Sequence, residues 1–79
     1  MFLDPEGMGV DFQLRVVSWL EANGCRDWVA MEPIVVRGRL AWYTSMGRKG
    51  RPIVVRGDSV VTRRKCVRIR IPLSEIPEA

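Results

Sequence analysis

The strongest constraint on the fold is a strict alternation of apolar and polar residues near the C-terminus. From residue 66 to residue 73, aliphatic side chains at the odd positions alternate with Cys66, Arg68 and Arg70. A period of two is that of a β-strand, whose side chains point in turn to opposite faces. This strand therefore has one apolar face and one basic face, and Pro72 places its end at the edge of a sheet. A sheet of such strands needs another element to cover its apolar side.

An amphipathic helix near the N-terminus is suited to provide this cover. At about 100° per residue, several apolar side chains fall within one arc, while Arg15, Ser18 and Glu21 point away. Asp11 is expected to cap the helix and Asn23-Gly24 to end it. The apolar arc consists of Phe12, Val16, Val17, Trp19 and Leu20. We predict an α+β fold: one N-terminal amphipathic helix packed on a small antiparallel sheet of three to four strands.

Two more strands are predicted in the middle of the chain, at residues 34–36 and 40–45, joined by a turn at Gly38. We expect Leu40 and Trp42 to point towards the helix, which places Tyr43 on the outer side. Residues 25–33 are predicted to be a connector, and residues 46–52 an exposed loop. The connector residues expected to fill the edge of the core are Trp28, Val29 and Met31.

An internal repetition accompanies these strands: Pro-Ile-Val-Val-Arg-Gly occurs at residues 33–38 and again at residues 52–57. Proline can open a strand without an N–H group, β-branched residues extend it, and glycine allows a turn out of it. Two copies are too few for a solenoid, but they are compatible with two related hairpins, arising by duplication or by convergence.

The length and composition indicate a single small domain. We expect residues 10–73 to form it, with a flexible arm at residues 1–9 and a flexible tail at residues 74–79. No run approaches the roughly 20 apolar residues that span a bilayer, and the N-terminus does not resemble a signal peptide, so we expect a cytoplasmic protein without membrane contact. The two cysteines lie far apart and the chain has no histidine, so we expect no metal site and no cofactor.

Charge is strongly segregated along the chain. Residues 37–70 contain eleven of the 13 Lys and Arg residues and a single acid, Asp58, whereas the flanking segments are acidic. Such asymmetry is typical of a binding face. If the apolar side of the last strand faces the helix, its arginines form a basic outer face, and an aromatic residue there favours single-stranded nucleic acid. The predicted site residues are Tyr43 for stacking, Arg64, Arg68 and Arg70 on the face, and Arg48, Lys49 and Arg51 as assisting contacts.

The alternative is a protein-interaction or homo-oligomeric module. Its basic face would pair with an acidic protein surface, including the acidic N-terminal third of another copy. Catalysis has the least support, because the chain has no histidine, no glycine-rich phosphate loop and no paired carboxylates in a plausible cleft. We therefore expect a protein that is not an enzyme.

One resemblance covers most of residues 10–73. The helix ending in Leu20-Glu21-Ala22-Asn23-Gly24, the hairpin reaching Trp42-Tyr43, and the last strand, entered through Val61-Thr62-Arg63 and left through Pro72-Leu73, resemble short proteins of actinobacterial phages and prophages. The resemblance implies a phage-type accessory protein in the host cytoplasm. It implies no particular activity, cofactor or binding residue.

Overall fold

One helix packs on an antiparallel sheet, which confirms the predicted α+β fold. The computed structural model describes residues 2–4, 7 and 9–76. The elements are β1 (Phe2–Leu3), α1 (Val10–Ala22), β2 (Asp27–Val29), β3 (Ile34–Arg37), β4 (Leu40–Arg48), β5 (Val55–Arg56), β6 (Ser59–Val60), β7 (Arg63–Arg68) and a 3-10 helix (Leu73–Glu75).

The helix has the predicted extent and apolar face. Val16, Trp19 and Leu20 are buried against the sheet. Gly24 has a φ of +102°, so it ends α1 in the left-handed conformation that glycine adopts without strain. The predicted cap at Asp11 is wrong: the helix begins at Val10, so the cap position is Gly9, two residues before Asp11, and no side chain caps it. Asp11 instead lies in the first turn, where its negative charge interacts favourably with the positive end of the helix dipole.

The long strand β4 is the centre of the main sheet, whose order is β1-β3-β4-β2 with β7 also paired to β4. Both β3 and β7 pair with residues 40–42, so they lie on opposite sides of β4. Four strands have three or more residues, in agreement with the prediction of three to four, and the two-residue β1 extends the sheet. Because β7 pairs with no other described strand, it is an edge strand.

The predicted orientation of β4 is wrong. Ala41 and Tyr43 are buried beneath α1, whereas Leu40 and Trp42 are 39% and 37% exposed on the other side of the sheet. The cause is the two-residue turn between β3 and β4, which pairs Arg37 with Leu40. Paired residues share a face, so an outward Arg37 forces Leu40 and then Trp42 outward.

Side chains of α1 and of its C-cap residue, Asn23, hold the segment that follows β7. Asn23 Oδ1 accepts hydrogen bonds from the backbone N–H groups of Arg70 and Ile71, at 2.6 and 2.8 Å. The Ile71 carbonyl oxygen accepts from Trp19 Nε1 at 2.8 Å and from Asn23 Nδ2 at 3.0 Å. One turn earlier, Arg15 donates to the carbonyl oxygens of Leu73 and Ile76. The predicted strand over residues 66–73 therefore stops at Arg68, because helix side chains replace a strand as hydrogen-bond partner.

The connector and the loop before the second hairpin also differ from prediction. Residues 25–33 contain the short strand β2, and β4 continues through the first part of the predicted loop to Arg48. Val29 is buried as expected, but Trp28 is 41% exposed and does not fill the core. The alternation within β2 explains this difference, because Asp27 and Val29 both point inward.

Both copies of the repeated hexapeptide form a hairpin with a two-residue turn. Gly38 and Gly57 take the first turn position with φ values of +58° and +59°, which agree with a type II′ turn. The first copy enters the main sheet, where Ile34 is fully buried. The second copy contributes to the separate β5-β6 ribbon, and its Ile53, which precedes β5, is 42% exposed. The same sequence thus occupies two very different environments.

Parts of both predicted end segments contact the domain. Leu3 lies in β1, paired with Ile34, and Ile76 packs against the core. The remaining residues of these segments, at positions 1, 5, 6, 8 and 77–79, lie outside the described residues. In the described part of the chain, no helix has the length and apolar character needed to cross a bilayer.

Candidate functional site

The side of the sheet opposite α1, here called the outer face, combines arginines with an exposed tryptophan. Its middle row is Val35, Trp42 and Cys66, which are paired across β3, β4 and β7. On one side of this row lie Thr44 and Arg64, and on the other lie Arg37, Leu40 and Arg68. The outer face consists of Val35, Arg37, Leu40, Trp42, Thr44, Arg64, Cys66 and Arg68.

Trp42 is an exposed aromatic residue of this face. Together with Val35, Arg37 and Arg64 it lines a depression of about 280 Å³. This volume lies just below the about 300–1,000 Å³ of typical small-molecule pockets, so the depression is a shallow surface site. The neighbouring guanidinium groups place positive charge beside the ring.

Arg64 is held in place across the sheet. Its Nη1 donates to the hydroxyl oxygen of Thr44 at 3.0 Å and to the carbonyl oxygen of Pro33 at 3.1 Å. Thr44 is only 6% exposed. A guanidinium held by one nitrogen keeps its orientation while its other N–H groups can bind an anion.

The arginines continue beyond the outer face to the end of the β3-β4 hairpin. Arg39, Arg68 and Arg70 line a second depression, of about 470 Å³, together with Ile69. Among the residues that the structure describes, none of the arginines around the two depressions forms an ion pair. Their positive charge is therefore not compensated locally.

The basic loop predicted to assist lies elsewhere. Arg48 is the last residue of β4 and lines a different depression, next to the end of α1, together with Glu21 and Lys49. The Lys49 ammonium forms an ion pair with Glu21 Oε1 and lies 5.3 Å from the centre of the Trp28 ring. Arg51 is exposed in the following turn. The structure therefore groups Arg64, Arg68 and Arg70 but does not bring Arg48, Lys49 or Arg51 to them.

Tyr43, predicted to stack on a base, is only 4% exposed and faces the core. Its hydroxyl donates to Asp27 Oδ2 at 2.8 Å, and Lys65 Nζ lies 3.3 Å from the same oxygen. Burial, followed by the nearby Cys25 and Asp27 side chains, raises the pKa of the Tyr43 phenol well above its ordinary value. Tyr43 is thus part of a buried polar cluster and cannot stack on a ligand from this position.

The pKa of Asp27 in this cluster predicts how stability depends on pH. Burial alone would raise this pKa, but hydrogen bonds from Tyr43 and Lys65 and the Lys65 charge outweigh burial and lower it. A lowered native pKa means that the ionised cluster stabilises the fold above the unfolded pKa of about 3.9 and that this stabilisation is lost as the pH falls through the native pKa. Replacing Asp27 by asparagine should lower the free energy of unfolding by about 1–3 kcal/mol at neutral pH.

Urea unfolding of the wild-type and Asp27→Asn proteins from about pH 7 down to about pH 3 tests this prediction, because the difference should shrink through the acidic range. Glu21→Gln is the matched control: it removes an acid from an exposed ion pair, and such pairs contribute little. A difference between wild type and Asp27→Asn that stays constant with pH would contradict the prediction.

Sequence reasoning missed Trp42, Arg37 and Arg39. The missing step was to apply the pairing rule of a two-residue hairpin to Arg37, a charged residue that avoids the core. Its partner across the turn is Leu40, so Leu40 and Trp42 must share its face. The prediction instead placed Leu40 and Trp42 towards the core, because both side chains are large and apolar.

The comparisons with known proteins found no relative. No family model matches the chain, and no curated protein or solved structure is significantly similar to it. The resemblance to phage proteins therefore stays a prediction, and any functional inference rests on the geometry of the chain itself.

Proposed function

We propose that this protein binds single-stranded nucleic acid through the outer face, with a base stacked on Trp42 and phosphates held by the surrounding arginines. The observation that carries the proposal is the position of Trp42, exposed in a depression that it shares with Arg37 and Arg64. Stacking on an aromatic ring requires a base that is free of its partner strand, and basic side chains beside the ring follow the backbone.

Another explanation accounts for only part of this arrangement. Charged residues on an edge strand prevent sheets from pairing edge to edge, and β7 is an edge strand rich in arginine. Trp42, however, lies on β4 and is paired with Val35 on one side and Cys66 on the other. Protection of an edge gives no reason for an exposed tryptophan on an interior strand.

Cys66 offers a direct test, because it is exposed and paired with Trp42 in the middle of the outer face, whereas Cys25 is buried. A bound strand should shield the Cys66 thiol from alkylation. We expect single-stranded oligonucleotides of about 10 nucleotides to slow the reaction of Cys66 with iodoacetamide at low salt. High salt should restore the rate, because phosphate contacts weaken as salt rises. Mass spectrometry assigns the modified residue.

The matched control carries its thiol on the opposite side of the protein. In a Cys66→Ser, Ser18→Cys variant, the new cysteine lies on the exposed side of α1, and its alkylation should not respond to the oligonucleotide. An unchanged rate at Cys66 would overturn the proposal. Shielding of Cys66 that increases with protein concentration alone would instead support the alternative in which another copy covers the outer face.

A further inference from the structure

The depression at the end of the outer face concentrates three positive charges. Arg39, Arg68 and Arg70 line it together with Ile69, and its volume is about 470 Å³. Arg39 lies in the β3-β4 turn, Arg68 is the last residue of β7, and Arg70 lies two residues further on. Two separate parts of the chain, the β3-β4 turn and the end of β7, thus bring three arginines to the same place.

The backbone under each arginine is fixed by hydrogen bonds. The Ile69 N–H donates to the Arg39 carbonyl oxygen at 2.6 Å, which ties the turn to the end of β7. The Arg70 N–H donates to Asn23 Oδ1 at 2.6 Å, and Arg68 is paired with Leu40. Ordering the backbone of these residues therefore adds little to the entropic cost of binding an anion.

The charge of this depression fits a dianion better than a single phosphodiester. No acidic residue lines it, and its arginines form no ion pair within the described part of the chain. An internal phosphodiester of a nucleic acid carries one negative charge, whereas a phosphomonoester carries about −1.5 to −2 at neutral pH. One guanidinium group can bind two phosphate oxygens at once. Three guanidinium groups can therefore contact all the terminal oxygens of a phosphomonoester.

The depression also lies where a nucleic acid strand bound along the outer face would end. Leu40, the partner of Arg68, is two residues from Trp42 along β4, or roughly 7 Å. Beyond Leu40 the Gly38-Arg39 turn closes the hairpin and the sheet stops. A nucleic acid strand that is stacked on Trp42 and runs towards this end of the sheet passes over Arg68. It leaves the protein at Arg39 and Arg70.

We infer that this depression binds the terminal phosphate of a nucleic acid strand, an inference that rests on the proposed binding by the outer face. The protein would then favour strand ends that carry a phosphomonoester over ends that carry a hydroxyl group. The strand interior would be held by Trp42, Arg37 and Arg64, and the end by Arg39, Arg68 and Arg70.

The test compares one oligonucleotide sequence in three forms: with a 5′-phosphate, with a 3′-phosphate, and with hydroxyl groups at both ends. We expect one phosphorylated form to bind about tenfold more tightly than the hydroxyl form, because its terminal phosphate forms charge-assisted hydrogen bonds that the hydroxyl group does not. In Arg39→Gln and Arg70→Gln variants this preference should fall to about twofold or less, while the hydroxyl form binds nearly as before. Excess inorganic phosphate should reduce the preference by competing for the same site.

Two control variants separate a local effect from a general loss of charge. Arg37→Gln changes the other depression and should weaken all three oligonucleotides alike. Arg56→Gln removes an exposed arginine of the β5-β6 ribbon and should change none of them strongly. Equal affinity for all three forms would overturn the inference while leaving the proposed function intact. Failure of every form to bind would overturn both.

Discussion

Replacing Asn23 by alanine is expected to lower the free energy of unfolding by about 3 kcal/mol, because about 1 kcal/mol is lost for each of three hydrogen bonds to the segment after β7. Those bonds join Asn23 to the backbone of Arg70 and Ile71. A chain of 79 residues has a free energy of unfolding of roughly 4–12 kcal/mol, so the loss is a large share of it. Urea unfolding measures the change, and faster tryptic cleavage after Arg70 should show where the chain has loosened.

Two further variants show whether these hydrogen bonds are the cause. Asn23→Asp keeps the oxygen that accepts from Arg70 and Ile71 but removes the donor to the Ile71 and Trp19 carbonyl oxygens, so its stability should be intermediate. Ser18→Ala, on the exposed side of α1, should leave stability nearly unchanged. If Asn23→Ala is as stable as Ser18→Ala, the side chain does not hold the segment.

Replacing Trp42 by alanine is expected to weaken binding of a single-stranded oligonucleotide about thirtyfold, because base stacking on an aromatic side chain contributes about 1–3 kcal/mol. The dependence of the affinity on salt should not change, since the phosphate contacts remain. By contrast, Arg64→Gln and Arg68→Gln should each reduce the slope of log K against log salt by about 0.7, the value for one phosphate contact to a single strand. Fluorescence anisotropy at several salt concentrations measures both quantities.

Trp28 provides the matched control, because its exposure of 41% is close to the 37% of Trp42. Trp28→Ala removes the same side chain at a different place, next to Lys49, and should change the affinity less than twofold. Equal losses for the two variants would mean that Trp42 does not provide a specific stacking site.

The helix and the first hairpin could be predicted because each depends on a local pattern of residues. The apolar stripe of α1 and its end at Asn23-Gly24 depend on residues within a few positions of one another. The β3-β4 turn depends on Gly38, which adopts a positive φ without strain. Such features are predictable because no distant partner is needed to produce them.

The features that sequence patterns missed depend on distant partners. Val67 and Ile69 have the predicted inward face, but the alternation alone does not show that Asn23 replaces a strand as partner of Ile71. The strand β2 has only three residues, and its pairing with β4 is what makes it a strand. The outward orientation of Arg64 and Arg68 was predicted correctly, because it follows from the alternation of one strand. The outward orientation of Tyr43 was wrong, because it depends on the register between two strands.

The repeated hexapeptide gives this small protein an internal comparison that rarely exists. Residues 33–38 and 52–57 have the same side chains and the same turn conformation, yet one copy lies between β1 and β4 and the other in an exposed ribbon. The amides of residues 34–38 and 53–57 follow identical residues in sequence, so their intrinsic hydrogen-exchange rates are the same. Any difference in protection between the copies therefore measures the opening free energy that tertiary structure adds to an identical stretch of chain.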